Sequence, residues 1–195
     1  MAFDIEENRV LWSSFIAGDP EAFSIFYKKN YSMLYAYGMR LQMDEDQVRD
    51  IIHDMFVKLY STPSIITVST TIKPFLLVSM RNAFINIKKK EQKLVDIENI
   101  TFDFRFAVEN EFWEKDEKIR AKEKVERIIE PLTPRQKEII YLRFLHQMEY
   151  DEIAKIMDIS EQAARNLVYR TVARMRKENI NGCLFLVFLY QLSVN

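Results

Sequence analysis

A compact set of polar side chains near the carboxyl end of the sequence is suited to recognising nucleic acid. Arginine and asparagine can form paired hydrogen bonds with guanine and adenine edges in the major groove, and further cations beside them can neutralise phosphates. At about 100° per residue, the angular step of an α-helix, this set falls on one side of the segment 160–177. Its members are Arg165, Asn166, Tyr169, Arg170, Arg174 and Lys177.

The segment 160–177 that carries these side chains is predicted to be an amphipathic helix. Ser160 can cap its start, because the serine hydroxyl accepts a hydrogen bond from an unpaired backbone N–H of the first turn. The opposite side is mainly apolar and consists of Ala164, Leu167, Val168, Thr171, Val172 and Met175. The segment holds five basic residues and one acid. Taken alone, such a basic face fits an ordinary solvated surface as well as a DNA contact.

Three further short helices are predicted upstream. The segment 151–157 has apolar residues at helical spacing, and a tight connection joins it to the basic helix, which is the arrangement of a helix-turn-helix. In that motif the second helix enters the DNA major groove. Another helix begins at Thr133, where Pro134 suits the first position and Gln136 can close a capping box. With a fourth helix over 118–130, these segments predict a small all-α domain.

The stretch "LTPRQKEIIYLRFLHQMEYDEIAKIMDISEQAARNLVYRTVARMRK" resembles the C-terminal domain of bacterial sigma factors of the extracytoplasmic-function (ECF) group, in the sigma-70 family. The resemblance implies that the helix-turn-helix contacts the −35 promoter element. It assigns the base contacts to Arg165, Asn166, Tyr169 and Arg170 and the phosphate contacts to Arg174 and Lys177. Asp158 stands where the family usually has a glycine, and Ala163-Ala164 replaces its usual Thr-Val pair.

The resemblance extends to the N-terminal half. The stretch "IAGDPEAFSIFYKKNY" predicts a turn at Gly18, a cap at Asp19 and a helix that begins with Pro20, similar to the first conserved helix of the family. The stretch "DQVRDIIHDMFVKLY" is similar to the family's helix that binds the clamp helices of RNA polymerase. Its mixed-charge face would by itself be interpreted as solvated surface. The resemblance implies polymerase binding through Asp50, His53, Asp54, Phe56 and Lys58.

The stretch "IKPFLLVSMRNAFINIKKK" resembles the family segment that melts and holds the −10 element. Residues 73–93 carry a net charge of +5; cations can neutralise phosphates and aromatic rings can stack on separated bases. The implied contacts are Lys73, Phe75, Arg81, Asn82, Asn86, Lys88, Lys89 and Lys90. Core packing is the alternative for Phe75 and is favoured for Phe84. The preceding loop, 61–71, forms a pocket for a flipped −10 base in the family, which makes Ser69, Thr70 and Thr71 further candidates.

The charge distribution predicts two helical domains joined by an acidic segment. The net charge is −1 overall, +4 over residues 119–177 and −5 over residues 94–118. Only three glycines occur, and the alternating pattern of a β-strand is found only near 64–71, so we predict an all-α fold. The predicted parts are an N-terminal helical bundle (1–93), a flexible acidic linker (94–117), a four-helix helix-turn-helix domain (118–179) and an apolar tail (180–195).

The sequence as a whole predicts an alternative sigma factor that directs bacterial core RNA polymerase to promoters and assists DNA opening. The alternative is a helix-turn-helix regulator that binds an operator. No glycine-rich phosphate loop, metal-ligand cluster or catalytic serine–histidine arrangement is recognisable, so neither an enzyme nor a cofactor or metal site is predicted. The resemblance implies core RNA polymerase, promoter DNA and an anti-sigma factor, free or membrane-bound, as partners.

The remaining features favour a cytoplasmic protein. The single cysteine, Cys183, excludes an internal disulfide and fits a reducing compartment, and the acidic N-terminus lacks a signal-peptide pattern. No apolar run reaches the roughly 20 residues that a membrane span needs. The run Cys183–Leu192 is nevertheless almost wholly apolar, so we expect it to be buried. Burial against this chain is the preferred interpretation, and burial against an inhibitory partner is the alternative.

Overall fold

The computed structural model describes residues 2–66, 72–91, 100–104 and 126–178, and these contain helices and no β-strand. The α-helices are α1 (Ala2–Ile16), α2 (Pro20–Arg40), α3 (Glu45–Ser61), α4 (Ile72–Glu91), α5 (Pro134–Ile140), α6 (Tyr150–Met157) and α7 (Glu161–Glu178). A 3₁₀ turn, Pro63–Ile65, follows α3, a π turn, Tyr141–Leu145, continues α5, and residues 126–129 are helical. The predicted all-α class is confirmed.

The chain divides into two compact units. One contains Met1–Ile97 and Lys155–Met157, and the other contains Glu98–Ala154 and Asp158–Asn195. In the first unit α2 is central, since it contacts α1, α3 and α4. The described residues of both units form helices, as the sequence predicts for the N-terminal bundle and the helix-turn-helix domain.

Gly38 lets three helices of the first unit approach closely. Gly38 is buried in α2, and an added Cβ would overlap the Cε atom of Met80 on α4 and lie 2.9 Å from Cγ2 of Val48 on α3. Glycine is otherwise unfavourable inside a helix. The close approach is therefore the reason for a glycine at this position.

Aromatic side chains fill the first unit where α1 ends and α2 begins. The Trp12 ring lies 5.4 Å from the Phe15 ring and 5.1 Å from the Phe26 ring, and Phe56 of α3 lies 5.9 Å from Phe26. Trp12, Phe26 and Phe56 are buried. The tilted and edge-on geometries are the favourable ones for aromatic pairs, so this cluster fastens α1, α2 and α3 together.

The predicted start of α2 is confirmed. Gly18 has a φ of 105°, a left-handed conformation that glycine adopts without strain. The Asp19 side chain accepts hydrogen bonds from the backbone N–H groups of Glu21 and Ala22, at 2.9 and 3.3 Å. Pro20 occupies the first helical position, where its missing N–H costs nothing.

The predicted capping box of α5 is also confirmed. The Thr133 hydroxyl accepts from the Gln136 backbone at 3.3 Å, and the Gln136 side chain accepts from the Thr133 backbone at 3.0 Å. Beyond α5 the helix widens into the π turn, in which the His146 N–H donates to the Tyr141 carbonyl five residues earlier, at 3.2 Å. Such turns are rare and often occur at functional sites.

Residues 100–104, which the sequence assigns to the linker, pack as part of a folded unit. Ile100, Phe102 and Phe104 are buried, and the Phe102 and Phe104 rings lie 5.5 and 6.1 Å from the ring of Tyr141. Thr101 is exposed and Asp103 is partly buried, so alternate side chains of this segment face the interior. The rest of the predicted linker lies outside the described residues.

The helix-turn-helix consists of α6 and α7. α6 ends at Met157 and is followed by the C-cap residue Asp158, whose φ of 53° and ψ of 56° are left-handed. The Ile159 N–H donates to the Ala154 carbonyl at 3.0 Å. Ser160 then caps α7 as predicted, because its hydroxyl accepts from the Ala163 backbone at 3.1 Å. Ala164, Val168, Thr171 and Met175 of α7 are buried.

Candidate functional site

The exposed side of α7 carries every side chain predicted to contact the −35 element. Its members are Arg165, Asn166, Tyr169, Arg170, Arg174 and Lys177, and all are exposed. Tyr169 is 76% exposed, although tyrosine is usually at least partly buried. An aromatic ring and several cations that face outward beside amide groups can contact bases and phosphates at once.

Arg165 is held by two neighbours. Its Nε donates to Oε1 of Glu161 at 3.1 Å, and its Nη2 donates to the same oxygen. Its guanidinium carbon also lies over the Tyr150 ring, 4.4 Å from the centroid. The first turn of α7 and the first residue of α6 therefore fix this side chain together.

Gln162 belongs to the same surface, although the sequence analysis did not select it. Its side-chain nitrogen donates to Oδ1 of Asn166 at 3.1 Å, and both residues are exposed. The signal available in the sequence was the spacing of four residues, which puts two side chains on one helical face. The pair presents an amide oxygen and an amide nitrogen, the groups that match an adenine edge.

The structure divides the side chains predicted for the −10 element. Asn82, Asn86, Lys89 and Lys90 are exposed, and the partly buried members are Lys73, Phe75 and Lys88. The prediction that Arg81 lies on the contact surface is corrected, because Arg81 is only 3% exposed. It lies four residues after Leu77 and three before Phe84, both buried, so its helical phase places it on the inner side. The core position favoured for Phe84 is confirmed.

An open pocket of about 450 Å³ lies between α3 and α4. Phe75, Asn82 and Asn86 line it from α4, and Asp54 and Lys58 line it from α3. The other lining residues are Ile51, Met55, Leu59, Ile65, Ser79 and Ala83. The pocket thus combines side chains that the sequence assigned to two separate functions. An aromatic ring with amides and charges around it suits a planar, polar group such as an unstacked base.

The polar side of α3 keeps four of its five predicted polymerase contacts at the surface. Asp50, His53, Asp54 and Lys58 are exposed. Phe56 is 3% exposed and belongs to the aromatic cluster, so its prediction as a surface contact is corrected. The physical reason is again helical phase, because Phe56 follows the buried Ile52 by four residues.

Three tyrosines of α2 form a ladder that the sequence analysis did not select. The rings of Tyr27 and Tyr31 lie 5.6 Å apart, and those of Tyr31 and Tyr35 lie 6.0 Å apart with their planes at 17°. Desolvation and a hydrogen bond with Glu45 raise the pKa of Tyr35, and desolvation and the neighbouring Tyr31 raise the pKa of Tyr27. Tyr27 also contacts Phe56, at 4.7 Å, which joins the ladder to α3.

Comparison with known proteins identifies the family. A family model described as "Sigma-70, region 4" matches residues 122–175. The ECF RNA polymerase sigma factor SigM of Bacillus subtilis (strain 168) is 24% identical over 150 residues, which cover 77% of this chain and 90% of SigM. The sigma factor SigX of the same organism is 24% identical over 161 residues, which cover 80% of this chain and 83% of SigX.

The chain is an extracytoplasmic-function sigma factor of the sigma-70 family.

Solved structures share the fold of this sigma factor. CnrH, solved in complex with the cytosolic domain of CnrY, has a TM-score of 0.56 at 16% identity and covers 88% of this chain and 96% of its own. RpoE, solved with the anti-sigma factor NepR from Bartonella quintana, has a TM-score of 0.55 at 16% identity. The match covers 80% of this chain and 95% of the RpoE chain.

Membership of this family confirms the predicted function. The sigma factor is an alternative one that serves promoter-specific transcription, and the operator-binding regulator is not favoured. Membership also implies a non-catalytic subunit.

The remaining predictions for this sigma factor fall partly outside the described residues. Ser69, Thr70, Thr71 and the apolar tail 180–195 lie there. Within the described ranges, no group of three or more metal-ligating side chains is assembled, and no described helix is both long and apolar enough to span a bilayer.

Proposed function

We propose that this sigma factor divides promoter recognition between its two units. In this proposal α7 contacts the −35 element, α4 and the adjoining pocket hold the opened −10 element, and the polar side of α3 binds core RNA polymerase. The observation that carries it is α7 itself, whose apolar side is buried while its arginines, amides and Tyr169 are exposed. Tyr169 is the most exposed of the large apolar side chains in the described part of the chain, and it shares its side of α7 with cations and amides.

For the −35 element, the first three turns of α7 contact bases and the last turns contact phosphates. In helix-turn-helix proteins the N-terminal residues of the recognition helix contact base edges. Arg165, Asn166 and Gln162 are in that position, with Tyr169 and Arg170 one turn later. Arg174 and Lys177 follow at the carboxyl end, where contacts to phosphates set register and add affinity.

For the −10 element, the pocket between α3 and α4 receives an unstacked base. Phe75 supplies an aromatic surface, Asn82 and Asn86 supply hydrogen bonds, and the exposed Lys89 and Lys90 attract the strand's phosphates. Base–aromatic stacking is worth about 1–3 kcal/mol per base. Capture of an extruded base therefore offsets part of the cost of opening a duplex.

Core RNA polymerase and an anti-sigma factor complete the proposed set of partners. Asp50, His53, Asp54 and Lys58 offer polymerase an exposed mixed-charge surface on α3. RpoE, which shares the fold, is solved in complex with the anti-sigma factor NepR. An inhibitory partner that covers the DNA-contacting surfaces, in the cytoplasm or from the membrane, is consistent with that neighbour.

Run-off transcription tests the proposal. Bacterial core polymerase, this protein and a pool of random promoter fragments should yield transcripts that begin downstream of one shared two-element motif. The double variant Arg165→Ala/Arg170→Ala should lose at least about tenfold in transcription from a selected promoter, since each good base contact is worth about 1–3 kcal/mol. Its binding to core polymerase should be unchanged in a native gel.

A matched control removes the same charge elsewhere. Arg9→Ala/Lys28→Ala alters two exposed cations of α1 and α2 and should transcribe like the unaltered protein. Normal transcription by the α7 double variant would contradict the assignment of α7. Tight duplex binding by the protein alone, with no transcription, would instead point to an operator-binding regulator.

A further inference from the structure

We propose that Tyr150 is a positioning residue for Arg165, and that its ring presents the Arg165 guanidinium to a base pair of the −35 element. The inference rests on the proposed role of α7. Tyr150 is the first residue of α6, and the sequence pattern gave it no function. Its ring is the point where three segments meet, namely the π turn, the start of α6 and the start of α7.

Two arginines lie over this one ring. The guanidinium carbon of Arg165 is 4.4 Å from the ring centroid, and that of Arg143, from the π turn, is 4.6 Å away. Both distances are well inside the roughly 6 Å within which a cation is attracted to an aromatic face. Two like charges at one ring also repel each other, so the arrangement needs compensation from acids.

Two carboxylates provide that compensation. Glu161 binds Arg165, and Oε2 of Glu149 lies 3.2 Å from Nη1 of Arg143. The same Nη1 donates to the Met148 carbonyl at 2.5 Å, which ties Arg143 to the backbone just before α6. Arg143 is thus anchored by the backbone as well as by charge, and it supports the ring from the side of the π turn.

The geometry leaves one edge of Arg165 available for DNA. Glu161 occupies the edge formed by Nε and Nη2. The other edge, formed by Nη1 and the second N–H of Nη2, has no hydrogen-bond partner among the described residues. That edge is a two-donor fork of the kind that binds O6 and N7 of guanine. An unrestrained arginine would lose considerable rotamer freedom on such binding, and the contacts to Tyr150 and Glu161 remove part of that cost beforehand.

Substitution of Tyr150 separates the ring's contribution from simple packing. Tyr150→Phe keeps the aromatic face, and Tyr150→Leu keeps an apolar side chain without it. We expect the holoenzyme with Tyr150→Phe to transcribe a selected promoter within about twofold of the unaltered protein. Tyr150→Leu should lose about fivefold, the effect of a cation–π contact of ordinary strength. The loss should be confined to promoters that keep the base pair contacted by Arg165.

The decisive measurement is made in the Arg165→Ala background. There Tyr150→Leu should cause no further loss, because the side chain that it positions is gone. An equal loss in both backgrounds, or an equal loss on every promoter variant, would mean that Tyr150 only stabilises the domain and would overturn the inference. If Arg165→Ala itself transcribes normally, the proposed role of α7 fails, and the two failures are therefore distinguishable.

A second pair of variants preserves the shape of the ring in case the leucine variant folds poorly. Phenylalanine and pentafluorophenylalanine at position 150 have similar shapes, but fluorination removes the negative potential of the ring face to which a cation is drawn. Lower transcription with the fluorinated ring, absent in the Arg165→Ala background, supports the inference. Equal transcription with both rings would overturn it.

Discussion

At the scale of single residues, helical phase decides which side chains are available for function. Arg81 and Phe56 lie in the stretches that carry the predicted contacts, yet both point inward. Gln162, which carries neither a charge nor an aromatic ring, stands on the surface beside Asn166. Charge and residue type indicated which helices carry the predicted contacts, whereas the direction of each side chain depends on which neighbours are buried. A local sequence pattern specifies the direction of a side chain only when the apolar stripe of the helix is unbroken.

Replacement of Gln162 tests whether its hydrogen bond with Asn166 contributes to base recognition. Gln162→Ala should reduce discrimination at the base pair contacted by Asn166 by about tenfold, because the asparagine amide loses the partner that orients it and a paired base contact is worth about 1–3 kcal/mol. Alanine is a good helix former, so stability should not fall. The measurement is transcription from promoters altered one base pair at a time. Unchanged discrimination would show that the pair plays no part in recognition.

At the scale of elements, local chemistry predicted the helix starts and tertiary packing determined the exceptions. The caps at Asp19, Thr133 and Ser160 were predictable because each depends on a side chain and the backbone next to it. The burial of Phe102 and Phe104 was not predictable, because it depends on contacts with Tyr141, a residue that is distant in the sequence. The pocket between α3 and α4 could not be foreseen for the same reason.

In the turn of the helix-turn-helix, the backbone of Asp158 is strained, and a glycine at this position would relieve the strain. Its left-handed conformation disfavours side chains that have a Cβ, and its side chain is exposed, so Asp158→Gly should lose no packing. We expect this change to raise the free energy of unfolding by about 1 kcal/mol, measured by thermal denaturation. Asp158→Ala is the matched control and should lower it, since alanine lacks the polar group that makes this conformation tolerable. Equal melting of the two variants would contradict the prediction.

For the substitution Gly38→Ala, core packing and helix propensity predict opposite changes in stability. Helix propensity alone predicts that Gly38→Ala raises the free energy of unfolding by about 1 kcal/mol. The new Cβ would press on Val48, a stiff β-branched residue 2.9 Å away, and overpacking of a core typically costs about 1–3 kcal/mol. We therefore expect a net loss of stability in chemical denaturation. Ser32→Ala, at an exposed position of the same helix, should be neutral or slightly stabilising, and a stabilised Gly38→Ala protein would contradict the packing argument.

At the scale of the whole molecule, near neutrality conceals a strong separation of charge. The net charge of −1 combines +5 over residues 73–93 and +4 over residues 119–177 with −5 over residues 94–118 and −5 over residues 1–55. Each basic segment contains a proposed DNA surface. The boundaries predicted from this pattern, at 93, 117 and 179, remain predictions, and the packing of residues 100–104 indicates that the second unit begins earlier than the charge pattern suggests.

The proposed phosphate contacts predict a specific dependence on salt. Each phosphate neutralised contributes about 0.9 to the slope of log K against log salt concentration. Arg174→Ala/Lys177→Ala should therefore reduce the magnitude of that slope by about 2, measured as affinity of the holoenzyme for a selected promoter at several salt concentrations. Arg9→Ala/Lys28→Ala should leave the slope unchanged. A slope that is insensitive to the α7 cations would place those side chains away from the phosphates.

The burial of Trp12 has a practical consequence for watching this protein unfold. The sequence contains two tryptophans, Trp12 and Trp113, and Trp12 is 4% exposed among the rings of the first unit. Trp113→Phe would leave Trp12 as the sole indole in the chain. Its fluorescence emission, which moves to longer wavelength when water reaches the ring, would then report the opening of the N-terminal bundle alone. The melting of the first unit could thus be recorded by fluorescence without a signal from the second unit.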